Sequence, residues 1–286
     1  MFKCICGILE VLKNYLEVVM KMAKTISVDE ICKKFYGDKK VAVITGAGVS
    51  VASGIRPFRG EGGLYNENKE AIRKLSLRYF LSSSQGFYKF YRENFLKPND
   101  GPNIVHQVLA ELQKEGYIEG IITQNIDTLH TLAGSENVIE IHGTGDRYYC
   151  INCKASYTKE RYSKDYVCEK CGGAIRPDMT FYEEPPKEED RISAYRLLIK
   201  ADIIFILGTS FDVNTILNLL GKYEYYKRVS KKDYEIIIVN KDKTDYDYLG
   251  RVCYMDLSKL FDEVKKYGIE KAYLGFNTLD EKGFTR

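Results

Sequence analysis

Four cysteines stand at a spacing that carries a definite chemistry. Cys150 and Cys153 form one C-x2-C pair, Cys168 and Cys171 a second, with 14 residues between the pairs. Each pair sets two thiolates at about the separation of adjacent corners of a tetrahedral zinc site, and two pairs complete it. With sulfur in all four positions no corner is left open to a substrate, so the spacing predicts one structural Zn2+. Cys4, Cys6, Cys32 and Cys253 fit no such pattern and read as buried or incidental thiols. Eight cysteines in 286 residues are too sparse for a disulfide scaffold.

A second set of chemically capable residues follows short apolar runs. After VAVIT (41–45) comes Gly46-Ala47-Gly48-Val49-Ser50, where glycines would let backbone N–H groups approach a pyrophosphate. The third glycine of a dinucleotide signature is absent, with Val51 in its place, and a tight strand-to-helix turn explains the run equally well. Arg59, beyond a loop flanked by Gly54 and Gly60, has paired donors suited to phosphate. After GIIT (120–123) come Gln124, Asn125 and Asp127, whose amides and carboxylate suit a ribose diol and a carboxamide; helix capping is the competing role. After VIEI (138–141) comes His142-Gly143. Of the three histidines, His106, His130 and His142, this one sits at a strand tip, where a neutral imidazole serves as a general base near pH 7. Gly208-Thr209-Ser210 after IIFIL (203–207) and Asn240 after IIIV (236–239) are ordinary turn residues in isolation. They also suit phosphate and adenosine-ribose contacts.

The elements that must position these groups are legible from patterning. The five apolar runs are short, β-branched and bounded by glycine or polar residues, and helical patterns lie between them. Ser27 with Glu30 makes a capping box. Asn103 caps a helix carrying Ile104, Val108, Leu109 and Leu112, ended by Gly116; Asp256 caps another carrying Leu257, Leu260, Phe261 and Val264, with Gly268 as its expected stop. Continuous apolar strands alternating with helices indicate an α/β fold with a doubly wound parallel sheet, which binds ligands at the carboxyl ends of its strands. The cysteine segment and the aromatic-rich residues 62–100 interrupt that alternation as inserted modules. The tyrosine- and lysine-rich stretch 222–248 reads as a solvated face around one strand. Residues 8–22 space Ile8, Val11, Leu12, Leu16, Val19 and Met22 as an amphipathic helix packed on the body or on a partner, and a start at Met20 or Met22 is the competing reading.

Composition excludes several classes. With 44% hydrophobic and 29% charged residues, gross disorder is ruled out. A net charge of +3 is too balanced for a protein held on nucleic acid or membrane mainly by charge. The segment nearest to a membrane helix is interrupted by Glu10, Lys13 and Glu17 and lacks a cleavage site. The expectation is a cytoplasmic enzyme with no membrane partner.

Taken together, GAGVSVASGIRPFRG (46–60), PNIVHQVLAEL (102–112), TQNIDTLH (123–130), HG (142–143), the two cysteine pairs, RPDMTFYEE (176–184), GTS (208–210) and VN (239–240) resemble the sirtuin family of NAD-dependent protein deacylases over roughly residues 38–265. The resemblance implies a Rossmann-like NAD-binding domain (24–61, 101–142 and 200–270) and an N-terminal extension (1–23). It also implies a small domain made of a helical insertion (62–100) and a zinc ribbon (143–180). It implies NAD as co-substrate and an acyl-lysine protein or peptide as partner. By motif position, Gly46, Ala47, Gly48 and Ser50 would line the cofactor loop with Arg59 near the phosphates. Phe58 would shield the anomeric carbon once nicotinamide leaves. Gln124 and Asn125 would face the nicotinamide ribose and Asp127 the carboxamide, with Asn125 counted beside His142 as catalytic. Ser210 and Asn240 would hold the adenosine half, with Gly208, Thr209 and Cys253 also counted among the cofactor-binding residues. His142 would be the general base that activates a ribose hydroxyl, and RPDMTFYEE an edge to which the peptide adds as a strand.

Three positions depart from the family pattern. Arg56-Pro57 stand where Pro-Asp is usual, and Glu183 where Gly is common. The Tyr-x-x-Arg of sirtuins that remove acidic acyl groups reads Tyr91-Arg92-Glu93-Asn94 here, so acetyl or longer neutral acyl groups are expected to be preferred to succinyl. Two rivals remain at this stage. One is a mono-ADP-ribosyltransferase or NAD hydrolase on the same cofactor loop. The other is a zinc ribbon binding nucleic acid, disfavoured because residues 147–176 carry only about +2 once the zinc and its thiolates are included.

Overall fold

A computed structural model describes residues 24–58, 62–211 and 213–280, with side chains described through Tyr273. The expected helix at 8–22, Cys4, Cys6 and Arg59 therefore lie outside the described residues.

The strands are β1 (Lys24–Thr25), β2 (Val41–Thr45), β3 (Ile118–Thr123), β4 (Val138–Glu140), β5 (Gly143–Cys150), β6 (Ser156–Tyr157), β7 (Ile175–Met179), β8 (Ile203–Leu207), β9 (Glu235–Asn240) and β10 (Arg251–Tyr254). Seven form a sheet in the order β1-β10-β9-β8-β2-β3-β4, and every neighbouring pair is parallel. All five residues of β2 and of β8 are buried, because helices cover both faces. The pleat then sorts alternate residues into two cores. Val41, Val43, Phe205 and Ile237 point to one face, packed by helices Val28–Phe35, Ile104–Lys114 and Leu257–Asp280. Ala42, Ile44, Ile204 and Ile238 point to the other, packed by helices Glu188–Lys200 and Asn214–Val229. Phe35 stacks on Phe205 with ring centroids 3.9 Å apart.

The remaining strands form an antiparallel sheet, β6-β5-β7. Its core is shared with the inserted helices Leu77–Ser82 and Ser84–Phe95: Phe80, Phe87, Phe90 and Tyr91 pack with Tyr148, Tyr162, Ile175 and Phe181. The 62–100 segment and the cysteine segment thus bury their apolar surface against each other.

Three expectations need correction. Gly268 does not stop its helix, which runs Leu257–Asp280. A β-carbon at Gly268 would collide with the Tyr36 hydroxyl, so the glycine serves a close tertiary approach. The 222–248 stretch is not simply a solvated face, since helix Asn214–Val229 extends into it and buries Tyr223 and Lys227. The Lys227 stem is enclosed, with Nζ 3.6 Å from Asp202 Oδ1. Residues 188–199, placed in neither unit by the resemblance, pack on the large sheet.

Candidate active site

The strand order reverses between β2 and β8: the chain leaves β2 toward β3 on one side and returns to β8 on the other. Loops leaving these two strands diverge and open a crevice at their carboxyl ends. Glycine is required there because the two backbones touch. Gly48 N–H donates to Gly208 O at 2.9 Å, a β-carbon on Gly48 would lie 2.6 Å from Gly208 Cα, and Gly208 itself has φ +63°.

A cavity of about 690 Å3 occupies this crevice and extends to the small sheet. Gly46, Ala47, Gly48, Phe58, Gln124, Asn125, His142, Gly208, Thr209, Ser210 and Asn240 all line it. Ser50 and Asp127 line instead an adjoining space of about 170 Å3, which shares Ala47, Phe58, Asn125 and Ile126 with the first. Cys253 lines neither. Its thiol is 9% exposed and packs in the core, and the cavity wall beyond β10 is Met255–Leu257. The cysteine side chain lies on the core side of the pleat.

His142 links the two sheets. Its backbone carbonyl accepts from Thr180 N–H at 2.8 Å, while its Nδ1 lies 3.2 Å from the carbonyl oxygen of Gln124. A carbonyl only accepts, so Nδ1 carries the proton and Nε2 keeps a lone pair. Nε2 is shielded from solvent and has no hydrogen-bond partner among the described residues. Burial lowers the pKa of this imidazole from 6.5, the Gln124 contact opposing it only in part, so the ring is neutral at pH 7. Gly143 follows with φ +71°, where an added β-carbon would collide with the Asp178 carbonyl oxygen.

Beneath the cofactor loop lies a closed polar network. Asn103 N–H donates to His106 Nδ1 at 3.3 Å, which fixes the proton on His106 Nε2, 3.3 Å from Ser50 Oγ. Ser50 also accepts from Asn125 Nδ2 at 3.1 Å and donates to Asp127 Oδ2 at 2.7 Å. Asn125 donates in addition to Gly46 O, and Asp127 accepts from Leu129 N–H. Burial depresses the His106 pKa to about 4 and that of His130 to about 3, so both rings are neutral. His106 is the member of this network that the patterning did not assign; the usable signal was its place at the third turn position after Asn103, where it completes a capping box. Tyr65 and Leu75, which share the cavity wall with Met179 and Tyr182 of the 176–184 segment, were likewise unassigned.

Arg56 is exposed; its Nε donates to Gly62 O at 2.6 Å and its guanidinium pairs with Glu67 of the helical insertion.

The four cysteines converge. Their sulfurs all lie within 4.8 Å of one another, with Cys150–Cys171 and Cys153–Cys168 at 3.5 Å and Cys168–Cys171 at 3.6 Å. A tetrahedron with bonds of about 2.3 Å has edges of about 3.8 Å, so the cluster fits zinc. Both turns are built alike, with Lys154 N–H bonded to Cys150 O and Gly172 N–H to Cys168 O, each donor residue at positive φ. None of the four lines either cavity.

Comparison with known proteins agrees with this geometry. A model of the Sir2 family matches residues 46–215. The chain is 37% identical over 232 residues to an NAD-dependent protein deacetylase of Staphylococcus epidermidis, covering 79% of this chain and 91% of that one. An NAD-dependent protein deacetylase of Listeria monocytogenes is 37% identical over 226 residues, with 79% and 95% covered. Among solved structures, a Sir2 complex with a p53 peptide and NAD+ superposes with a TM-score of 0.74 at 31% identity, covering 85% of this chain and 99% of that one. A Sir2 complex with deacetylated p53 peptide and 3′-O-acetyl-ADP-ribose gives 0.77 at 30% identity, with the same coverage.

Proposed function

The chain belongs to the Sir2 family, and from that premise we propose that it is an NAD-dependent protein-lysine deacylase whose general base is His142. The observation that carries the assignment of the base is the unpartnered, deprotonated Nε2 of a neutral imidazole at the rim shared by the two sheets. When bound, NAD supplies an acyl acceptor, so the products are nicotinamide, free lysine and O-acyl-ADP-ribose.

The chain's own groups divide the work. The backbone of Gly46–Gly48 and Gly208 gives a diphosphate close approach to the strand ends, because no side chain intervenes. Ser210 and Asn240 form the far rim, with Asn240 Nδ2 already tied to Thr209 O at 3.0 Å. Gln124 is oriented by its amide donating to Thr209 Oγ1 at 3.0 Å, and Asn125 by Gly46 and Ser50. Phe58, packed on Tyr65 at 5.5 Å between centroids, is the apolar wall that excludes water where the two cavities meet. His142 Nε2 accepts the proton of a hydroxyl brought to it, and Nδ1 keeps its own proton on Gln124 O throughout. Cys150, Cys153, Cys168 and Cys171 would hold zinc as a fixed crosslink of the small sheet, with no chemical step assigned to it.

An acyl-lysine protein is the partner. No helix among the described residues is long and apolar enough to cross a membrane, and cytoplasmic action is proposed because a four-thiolate zinc site suits a reducing compartment.

Mass spectrometry after incubation with NAD and an acetyl-lysine peptide tests the reading. O-acetyl-ADP-ribose is the expected product. ADP-ribosylated protein, or ADP-ribose formed without peptide, would replace the deacylase with a transferase or a hydrolase. The acyl preference follows from two side chains of the insertion. Tyr91 is 1% exposed, and Asn94 spends its amide on Phe90 O at 2.8 Å, so this pair offers an acidic acyl group no cation. Acetyl-lysine peptide is expected to exceed succinyl-lysine peptide by about tenfold or more in kcat/KM; the reverse order would refute it.

A further inference from the structure

We infer that Glu183 is a specificity-determining residue that selects substrates with a basic side chain flanking the acyl-lysine. The inference rests on the deacylase reading above and adds to it the sequence class of the substrate.

Residues 180–184 form the wall of the large cavity on the side of the small sheet. The segment is pinned from behind: Thr180 N–H donates to His142 O, Tyr182 N–H to Leu75 O, and Leu77 N–H to Tyr182 O. The backbone N–H and C=O of Glu183 take no part in this pinning and have no backbone partner among the described residues. They are available to a peptide laid along the wall.

Two glutamates stand on this wall, and their states differ. Glu184 is consumed internally. Its carboxylate holds Arg176 at 2.7 and 2.8 Å and accepts Phe181 N–H at 2.9 Å, which keeps its pKa below the ordinary range despite burial. Glu183 is 46% exposed. Its counter-ion is Arg78, itself 86% exposed and 3.6 Å away, with a weak backbone contact at 3.4 Å. An ion pair that exposed is worth little, so an incoming cation displaces Arg78 at small cost. The other charged residues lining the cavity lie beyond β9 and β10, at Lys241–Lys243 and Asp256, away from this wall.

Glu183 also occupies φ +75°, a left-handed conformation that disfavours a side chain. Glycine would fit without that strain, and the wall would keep its shape. The feature that glutamate adds is a carboxylate at the cleft mouth, where charge complementarity with a partner acts.

The test uses the zinc-loaded full chain with NAD and acetyl-lysine peptides on a neutral background, carrying a single Arg or Glu at each of the three positions on either side. At one or two positions Arg is expected to exceed Glu about fivefold in kcat/KM, expressed in KM with kcat unchanged. Glu183→Gln and Glu183→Gly should both flatten that preference, and Glu183→Lys should reverse it. Because Glu183→Gly removes the strain as well as the charge, agreement between it and Glu183→Gln assigns the effect to charge. Turnover with an unchanged Arg-over-Glu ranking in Glu183→Gln would overturn the role of Glu183 alone. Absence of nicotinamide release with every peptide would overturn the deacylase reading, and this inference with it.

Discussion

His142→Ala is expected to lower kcat for deacylation by about 10^2–10^4-fold while leaving NAD affinity within a few-fold of the parent. The residue lines the cavity, Nε2 is unpartnered, and the one side-chain hydrogen bond among the described residues goes to Gln124 O. Removing the ring deletes a proton acceptor and leaves the glycine contacts between the two loops intact. The pH profile gives the same role an independent reading. Burial places the folded-state pKa below 6.5, and the reactive form is the neutral imidazole. Activity is therefore fully present above pH 6.5 and is lost as pH falls through the lowered value. The variant should lose that acid limb along with its rate. Circular dichroism at each pH keeps unfolding apart from titration, which matters because buried His106 and His130 resist protons that the unfolded chain accepts below 6.5. Full deacylation by His142→Ala, or an unchanged acid limb, would remove His142 from the mechanism.

How much of this was legible in the sequence depended on whether the deciding interactions were local. The parallel strands were legible because strands covered on both faces need unbroken apolar runs, as in VAVIT and IIFIL. The capping box at Ser27 and the cap at Asn103 were legible because their bonds close within three residues. Gly268 was misread because its reason is Tyr36, more than 200 residues away, and a glycine near a helix end looks like a stop. The helix through Tyr223 and Lys227 was misread because it fills buried positions with residues that look like surface. The candidate site divides the same way. Residues directly after strands, such as Gln124, His142 and Ser210, could be placed by the rule that such sheets bind at strand ends. Ser50, His106 and Asp127 form their network only through the packing of helix Ile104–Lys114 beneath the loop.

Loss of the metal is expected to abolish deacylation, by at least about 100-fold, without dissolving the large sheet. Structural zinc contributes about 10–16 kcal/mol in small zinc modules, far more than this short antiparallel sheet gains from its strand pairs. Cys150 and Cys168 are themselves core residues, packed with Tyr148, Tyr162, Ile175 and Phe181. The same core carries Met179 and Phe181 onto the cavity wall. If Cys168→Ser frees the two turns, that wall loses its support, while the two cores of the large sheet contain none of the four ligands. Zinc content near one per chain, falling in Cys168→Ser, should accompany lost amide protection in β5–β7 with protection retained in β2 and β8. Replacing zinc by cobalt separates structure from chemistry, since a crosslink needs only tetrahedral thiolate binding. With cobalt bound, kcat should stay within about twofold. A large change in kcat on that exchange would mean that the metal takes part in the reaction, against its position outside both cavities.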